Sequence, residues 1–293
     1  MSCPAVAATA SVEALTSNTA VVTTEHPAPR GRGATAAAAD APAGNADGAK
    51  DGDGDAVIRL VMISDTHGGH RRVAVPDGDI LIHAGDFTRF GKLADAEDFN
   101  DWLGEQPHRH KVVVAGNHEA NADWWPRTAA LLSNATFLSN ERTVLSNPGK
   151  PDVTVYGTAF SWPVSPPDAR HWAHIPGGLD VLVTHGPAYG FVDGGNGCKS
   201  LAASVLQTRP RFVVSGHIHA AHGVARSVAA GTVFVNAANA KKGHGDMGWP
   251  AMTMALGERM PAAAAAAVVA AGDALPDSVV PPLPPPLDAH VTG

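Results

Sequence analysis

The stretch Lys111-Val-Val-Val-Ala-Gly-Asn-His-Glu119 decides the fold. Its three consecutive valines form a continuous apolar run, which is typical of a strand buried on both faces. The run ends at Gly116, a residue that lets the backbone pass close to a ligand. Asn117, His118 and Glu119 follow at once. A buried strand that ends in polar residues is typical of an α/β sheet, whose ligand lies beyond the carboxyl ends of the strands.

Four other segments have the same design, in which a short apolar run is followed by Gly, Asp or His. They end in Asp65-Thr66-His67, Gly85-Asp86, Thr184-His185-Gly186 and Gly216-His217-Ile218-His219. Because loops at the carboxyl ends of strands converge on the ligand crevice, we expect the five segments to present their side chains at a common point.

The strand candidates share β-branched residues and an alternating or continuous apolar pattern. They are Val57–Ile63, Asp79–His83, Lys111–Ala115, Val153–Thr158, Asp180–Thr184, Arg211–Ser215, Thr232–Val235 and Met252–Leu256. Helical spacing predicts three helices, which cover 93–103 with a stop at Gly104, Trp124–Leu132 and Lys199–Gln207. Strands that first alternate with helices and then follow one another closely indicate layered sheets flanked by helices.

Composition divides the chain into three zones. Residues 1–56 are rich in Ala, Gly, Thr, Pro and Asp without periodicity, and residues 261–293 combine an alanine run with a proline run. Both compositions predict disorder, so we expect one folded domain at 57–260. The N-terminus lacks the features of a secretory signal, which favours a cytoplasmic location and leaves an organellar transit peptide as the alternative.

The charge distribution limits the class of partner. The net charge of −7 comes from the two ends, because residues 57–257 carry 17 acidic and 17 basic side chains. A protein that binds polymeric nucleic acid has a clear excess of Lys and Arg, so we expect no such partner.

The sequence has no run of 18 apolar residues, so we expect no membrane span either. The oligomeric state is left open.

The polar residues after the strands form a ligand set for metals. Oxygen and imidazole ligands without cysteine suit borderline and hard ions such as Zn, Fe or Mn, whether divalent or trivalent. Seven ligands are too many for one tetrahedral zinc and fit a bridged pair of ions. The candidates are Asp65, His67, Asp86, Asn117, His185, His217 and His219.

In order and type, the five segments resemble the motifs of the calcineurin-like metallophosphoesterase superfamily. The likeness is closest to the branch of metallophosphoesterase-domain proteins related to class III cyclic nucleotide phosphodiesterases. It covers about 57–257, and the stretches that carry it are Ile80–Thr88, Phe99–Leu103, Lys111–Glu119 and Leu182–Pro187. The resemblance implies a four-layer α/β/β/α sandwich, an α/β fold of the metallo-dependent phosphatase type.

The resemblance also implies a role for each candidate residue. One metal would be held by Asp65, His67 and His219, the other by Asn117, His185 and His217, and Asp86 would bridge both. His118 would be catalytic, contacting the phosphate and aiding the leaving group without binding metal. Three more residues are expected around the site: Glu119 as a hydrogen-bonding support, His222 near the pocket and Asn236 at its edge.

The implied reaction is hydrolysis of a small phosphoester by a hydroxide that bridges the two metals. Among possible substrates, the resemblance favours phosphodiesters such as cyclic nucleotides. Phosphomonoesters, including phosphoproteins, are the first alternative. A weakly active nucleotide-binding scaffold is the second, although a buried cluster of carboxylates and imidazoles is costly without metal.

Overall fold

The computed structural model describes residues 57–162, 169–227 and 230–257. The predicted extension 1–56, the predicted tail 261–293 and the last three residues of the predicted domain lie outside the described residues. The described part contains eleven strands, β1–β11, and four α-helices, α1–α4. No helix in these three ranges is both apolar and long enough to span a bilayer.

The first sheet has five strands in the order β11-β1-β2-β3-β4. Strands β1 to β4 are parallel, and β11 pairs with β1 in the antiparallel direction. The strands are β1 Ile58–Ile63, β2 Ile80–His83, β3 His110–Val113, β4 Thr136–Phe137 and β11 Met252–Leu256. The parallel order brings the carboxyl ends of β1, β2 and β3 to one edge of this sheet.

The second sheet has six strands in the order β5-β6-β7-β8-β10-β9. Its four central strands are parallel, and the two edge strands are antiparallel to their neighbours. The strands are β5 Glu141–Leu145, β6 Val153–Gly157, β7 Val181–Val183, β8 Phe212–Ser215, β9 Gly223–Ser227 and β10 Thr232–Asn236.

The two sheets pack face to face on one apolar core. Alternate side chains of each strand point into it, as the period of two in a strand requires. The core contains Leu60 and Met62 of β1 on one side and Val181 and Val183 of β7 on the other, all fully buried. Most of these core side chains are branched aliphatics, which have few rotamers and pack closely, so the interface holds the two sheets in a fixed relation.

Helices cover the outer face of each sheet. Helix α1, Leu93–Glu105, packs Phe99 and Trp102 on the first sheet. Helix α4, Lys199–Thr208, packs Leu201 and Val205 on the second sheet. The layers therefore run helix, sheet, sheet, helix, and the predicted α/β/β/α sandwich is confirmed.

All eight predicted strands are present, and three strands were missed, namely β4, β5 and β9. Two helix predictions need correction. Helix α1 continues through Gly104 and ends at Glu105, where the backbone N–H of Gln106 donates to the carbonyl of Leu103.

The segment Trp124–Leu132 is not one helix but a 3-10 turn at Trp125–Arg127 followed by α3, Thr128–Leu131. Helix α2, Asn117–Ala120, was not predicted.

Candidate metal centre

The seven predicted metal ligands converge at the common edge of the two sheets. Asp65 follows β1, Asp86 follows β2 and Asn117 follows β3, while His185 follows β7 and His217 follows β8. Both carboxylates are buried, with 0% of Asp65 and 2% of Asp86 exposed. The expectation that separate loops meet at one point is therefore met by the geometry of the described residues.

A first cluster contains Asp65, His67 and His219. The Nε2 atoms of His67 and His219 lie 3.3 Å apart, and Nε2 of His219 lies 3.2 Å from Oδ1 of Asp65. The three side chains can each direct one ligand atom at the same ion. These are the three residues that the resemblance assigns to one metal.

A second cluster contains Asp86, His185, His217 and Asn117. Nε2 of His185 lies 3.3 Å from Oδ2 of Asp86 and 3.2 Å from Oδ1 of Asn117. The same amide oxygen lies 3.1 Å from Nδ1 of His217. The second cluster joins the three residues that the resemblance assigns to the other metal, with Asp86 beside them.

The spacing of the donor atoms fits metal ions. Ligand atoms about 2.1 Å from a metal stand about 3.0–3.4 Å apart at the corners of an octahedron or tetrahedron. The separations of 3.1–3.3 Å within the two clusters fall in this range. Nitrogen and oxygen donors without sulfur suit Mn, Fe or Zn. Both clusters therefore fit a resident metal ion.

Four of the candidate ligands occupy the left-handed backbone region, which non-glycine residues rarely adopt. Their φ angles are 54° for Asp65, 45° for His67, 56° for Asp86 and 65° for His217. Such strain persists only where the surroundings impose it, and it concentrates at functional sites. The loops are thus held in the conformations that turn these side chains towards each other.

Two glycines make room for the buried carboxylates. A Cβ atom at Gly216 would collide with the Asp65 carboxylate and with Ser64, and one at Gly116 would collide with the Asp86 carboxylate. In return, the backbone N–H of His217 donates to Asp65 at 2.9 Å. The absence of a side chain at each glycine therefore lets one loop pack directly on the carboxylate of another.

The histidines of the two clusters differ in their protonation. Burial lowers the pKa of His67 and of His217 to about 4, so both rings are neutral at pH 7 and offer a lone pair. Burial also acts to lower the pKa of His185, but the charge and hydrogen bond of Asp86, together with the charge of Asp65, raise that pKa to about 10. Metal binding at His185 must therefore displace a proton.

His118 lies beside the clusters with its proton directed at the site. Its Nδ1 accepts the backbone N–H of Phe90 at 2.8 Å, so a neutral His118 carries its proton on Nε2. That Nε2 lies 3.7 Å from Oδ2 of Asp86, and the ring centre is 4.6 Å from that of His67. The arrangement provides a hydrogen-bond donor next to the carboxylate that the resemblance assigns to both metals.

Glu119 holds together the loops that carry the ligands. Its fully buried carboxylate accepts from the backbone N–H groups of Asp86, Thr88 and Gly116, each at 2.9 Å, and from the Thr88 hydroxyl at 2.7 Å. Burial and the charge of Asp86 raise the pKa of Glu119 to about 7, and these hydrogen bonds oppose the rise. The sequence predicts that Glu119 supports its own loop and orients Asn117. The carboxylate contacts the N–H of Gly116, which precedes Asn117, and also the loop that carries Asp86.

Replacing Glu119 with glutamine should weaken both the fold and metal binding. A glutamine NH2 cannot accept hydrogen bonds, so at least one donor on the neighbouring loops loses its partner. We expect the free energy of unfolding to fall by about 2 kcal/mol and metal affinity to fall about tenfold or more. Thermal unfolding and metal titration measure the two effects. Glu97→Gln, at an exposed position on α1, is the matched control and should change neither.

The other two expected neighbours lie behind the loops. Asn236 is fully buried at the end of β10, and its amide donates to the carbonyls of Val192 and Ile218, each at 3.0 Å. It thereby braces the residue between His217 and His219. His222 is half-buried, bonds through Nδ1 to the carbonyl of Ala238 at 2.9 Å and stacks on Trp249.

His244 and Phe90 are among the residues at the site that were not anticipated from the sequence. The His244 ring centre lies 4.4 Å from that of His67 and 4.9 Å from that of His118. Phe90 is 67% exposed and stacks on His118 at 4.9 Å. Neither follows a strand directly. The only local signal was the Gly that flanks each of them, which marks a turn.

Known proteins show similar sequences. The model of the family described as calcineurin-like phosphoesterase matches residues 58–221. The UPF0046 protein K07C11.7 of Caenorhabditis elegans is 33% identical over 66% of this chain and 73% of its own length. Metallophosphoesterase domain-containing protein 1 of Homo sapiens is 35% identical over 61% of this chain and 65% of its own length. The chain thus spans about two thirds to three quarters of these relatives.

Among solved structures, TT1561 of Thermus thermophilus is 17% identical and aligns with a TM-score of 0.46 over 61% of this chain and 88% of that protein. The family match covers more than half of the chain and contains all seven candidate ligands. The resemblance inferred from the motifs is confirmed. The chain belongs to the calcineurin-like phosphoesterase family, whose members are metal-dependent hydrolases of phosphoester bonds.

Proposed function

We propose that this chain hydrolyses small phosphodiesters, cyclic nucleotides among them, at a pair of Mn, Fe or Zn ions. Asp65, His67 and His219 would hold one ion, Asn117, His185 and His217 would hold the other, and Asp86 would be shared by both. The observation that carries the proposal is the division of the donor atoms into two clusters with ligand-like spacing in one site.

The charge of the site supports a phosphate anion as the substrate. Asp65 and Asp86 contribute two negative charges, so two divalent ions leave a net positive site in a domain whose surface has no excess of basic side chains. The ions, when bound, activate a water molecule and stabilise charge on phosphorus. The protein holds the ligand side chains in strained but fixed conformations, so the site is organised before the substrate binds.

His118 serves the leaving group in this proposal. The backbone N–H of Phe90 occupies Nδ1 and leaves the proton on Nε2, on the side of Asp86. A donor at that position can stabilise, by a hydrogen bond, the negative charge that develops on the departing oxygen as its bond to phosphorus breaks. The exposed Phe90 ring beside it offers an apolar surface for a small organic leaving group.

The alternatives differ in the phosphoester that reacts. A phosphomonoesterase would act on p-nitrophenyl phosphate, mononucleotides or phosphopeptides. A nucleotide-binding scaffold would bind nucleotides without turnover. The charge balance of the domain does not favour polymeric nucleic acid in any of these cases.

A substrate panel separates these alternatives. Purified protein loaded with Mn or Zn is assayed with bis-p-nitrophenyl phosphate, p-nitrophenyl phosphate, 3′,5′-cyclic nucleotides, mononucleotides and a phosphopeptide. We expect kcat/KM to be highest for a diester. Preference for a monoester would move the assignment to the first alternative. Stoichiometric nucleotide binding with negligible turnover of every compound would establish the scaffold instead.

A further inference from the structure

His244 lies within reach of the same substrate as His118. One nitrogen from each of His67, His118 and His244 falls within 4.8 Å of the others. The His244 ring also meets the edge of Phe90, with ring centres 4.9 Å apart and planes at 89°. His118 follows β3, and His244 lies in the segment that connects β10 of the second sheet to β11 of the first, so the two imidazoles reach the site from different loops.

The segment that carries His244 is fastened at its base. Asn239 and Trp249 join its two ends, since the N–H of Trp249 donates to the carbonyl of Asn239 at 3.1 Å and the Asn239 amide donates to the carbonyl of Trp249 at 3.2 Å. Asn239 also exchanges two hydrogen bonds with Ser64. Ser64 precedes Asp65, so the base of this segment is tied to the backbone of the first cluster.

The tip of the segment is held as well. The N–H of Lys241 donates to the carbonyl of Asp246 at 2.7 Å, which closes a tight turn around His244. The guanidinium of Arg72 donates to the carbonyl of Gly245 at 2.8 Å. His244 is therefore positioned by hydrogen bonds on both sides and is only half-buried, so its ring can face a ligand in the site.

A third metal site formed by His67, His118 and His244 is a poorer interpretation of this cluster. Nε2 of His67 already belongs to the first cluster, 3.3 Å from His219. Nδ1 of His118 already accepts the N–H of Phe90. Two remaining imidazoles do not complete a closed metal site. As hydrogen-bond donors, however, two nitrogens at this separation can both reach the oxygens of one phosphoryl group.

We propose that His244 contacts the substrate and donates a hydrogen bond to its phosphoryl group, as a partner of His118 across the site. The inference rests on the proposed function. It assigns a binding role to a residue outside the seven ligands and places Arg72 as the residue that positions it.

The test measures the binding of inorganic phosphate to the metal-loaded protein by calorimetry, alongside metal content and turnover. His244→Ala should retain both metals and bind phosphate about tenfold more weakly, the loss expected for one hydrogen bond to a charged group. His244→Gln, which keeps a donor, should recover part of the affinity. Arg72→Ala should show a smaller loss. His110→Ala, which removes an imidazole at the amino end of β3, should bind phosphate like the wild type.

Three outcomes overturn the inference. Unchanged phosphate affinity in His244→Ala would remove the contact, and loss of a metal equivalent would make His244 a ligand instead. Equal losses of phosphate affinity in His244→Gln and His244→Ala would show that His244 acts by packing and not by donating a hydrogen bond. If the wild type turns over no phosphoester yet binds phosphate in a His244-dependent way, the inference stands and the proposed function fails.

Discussion

Replacing Asp86 with asparagine should remove both metal ions and nearly all activity. The carboxylate lies 3.3 Å from His185 in the second cluster, and we assign it to the ion of the first cluster as well. An amide lacks the charge that offsets two cations. Because a metal supplies several kcal/mol of charge stabilisation, the expected fall in kcat/KM is at least about a thousandfold. Elemental analysis and a phosphodiesterase assay measure the two effects.

Two comparison variants sharpen this result. Asp65 lies 3.2 Å from His219 in the first cluster and 3.9 Å from His185 in the second. We assign it to the first ion alone, so Asp65→Asn should deplete that ion and leave the other largely in place. Asp101→Asn, at an exposed position on α1, removes an equal charge and should keep both ions and full activity. Two full equivalents of metal in Asp86→Asn would contradict the bridging assignment, whatever the activity of the variant.

His118→Ala should keep both metals and slow turnover. The missing group is a hydrogen-bond donor whose Nε2–H is fixed by the hydrogen bond from Phe90 to Nδ1. Removing one such donor to a developing negative charge slows turnover about 10²–10³-fold. The loss should be largest for phenyl esters, whose leaving oxygen carries the most localised charge, and smallest for p-nitrophenyl esters, whose ring delocalises that charge.

The dependence on the leaving group distinguishes this role from a structural one. A variant that merely distorts the site would slow both esters by the same factor. His110→Ala serves again as the control for removing an imidazole. Equal rates for wild type and His118→Ala on the phenyl ester would refute the role of His118 as a hydrogen-bond donor to the leaving group, and loss of a metal would show that His118 is a ligand.

The fold was predictable for strands whose burial on both faces requires a continuous apolar run in the sequence. The central strands of both sheets, such as β3 and β7, are continuous apolar runs because both of their faces are covered. The missed strands lie at sheet edges, and only the last residue of β5 and the last residue of β9 are buried, so neither strand contains an apolar run. β4 has two residues, too few for any period to appear.

The candidate site was predictable where ligands directly follow strands. Asp65, Asp86 and Asn117 were found because a Gly or a polar residue ends each buried run. His244 was missed because it lies eight residues beyond β10, in a segment returned to the site by long-range bonds from Asn239 and Arg72. Hydrogen bonds between residues so far apart in the chain leave no local pattern in the sequence. The left-handed conformations of the ligands were equally invisible, since they follow from packing between loops.

We expect seven side chains from two sheets to hold two metal ions in one site. The most direct measurement is anomalous diffraction from crystals of the protein grown with Mn. We expect two peaks about 3.5–4 Å apart, one bound by Asp65, His67 and His219, the other by Asn117, His185 and His217, and both by Asp86. A single peak in the site, or two peaks that share no carboxylate, would contradict it.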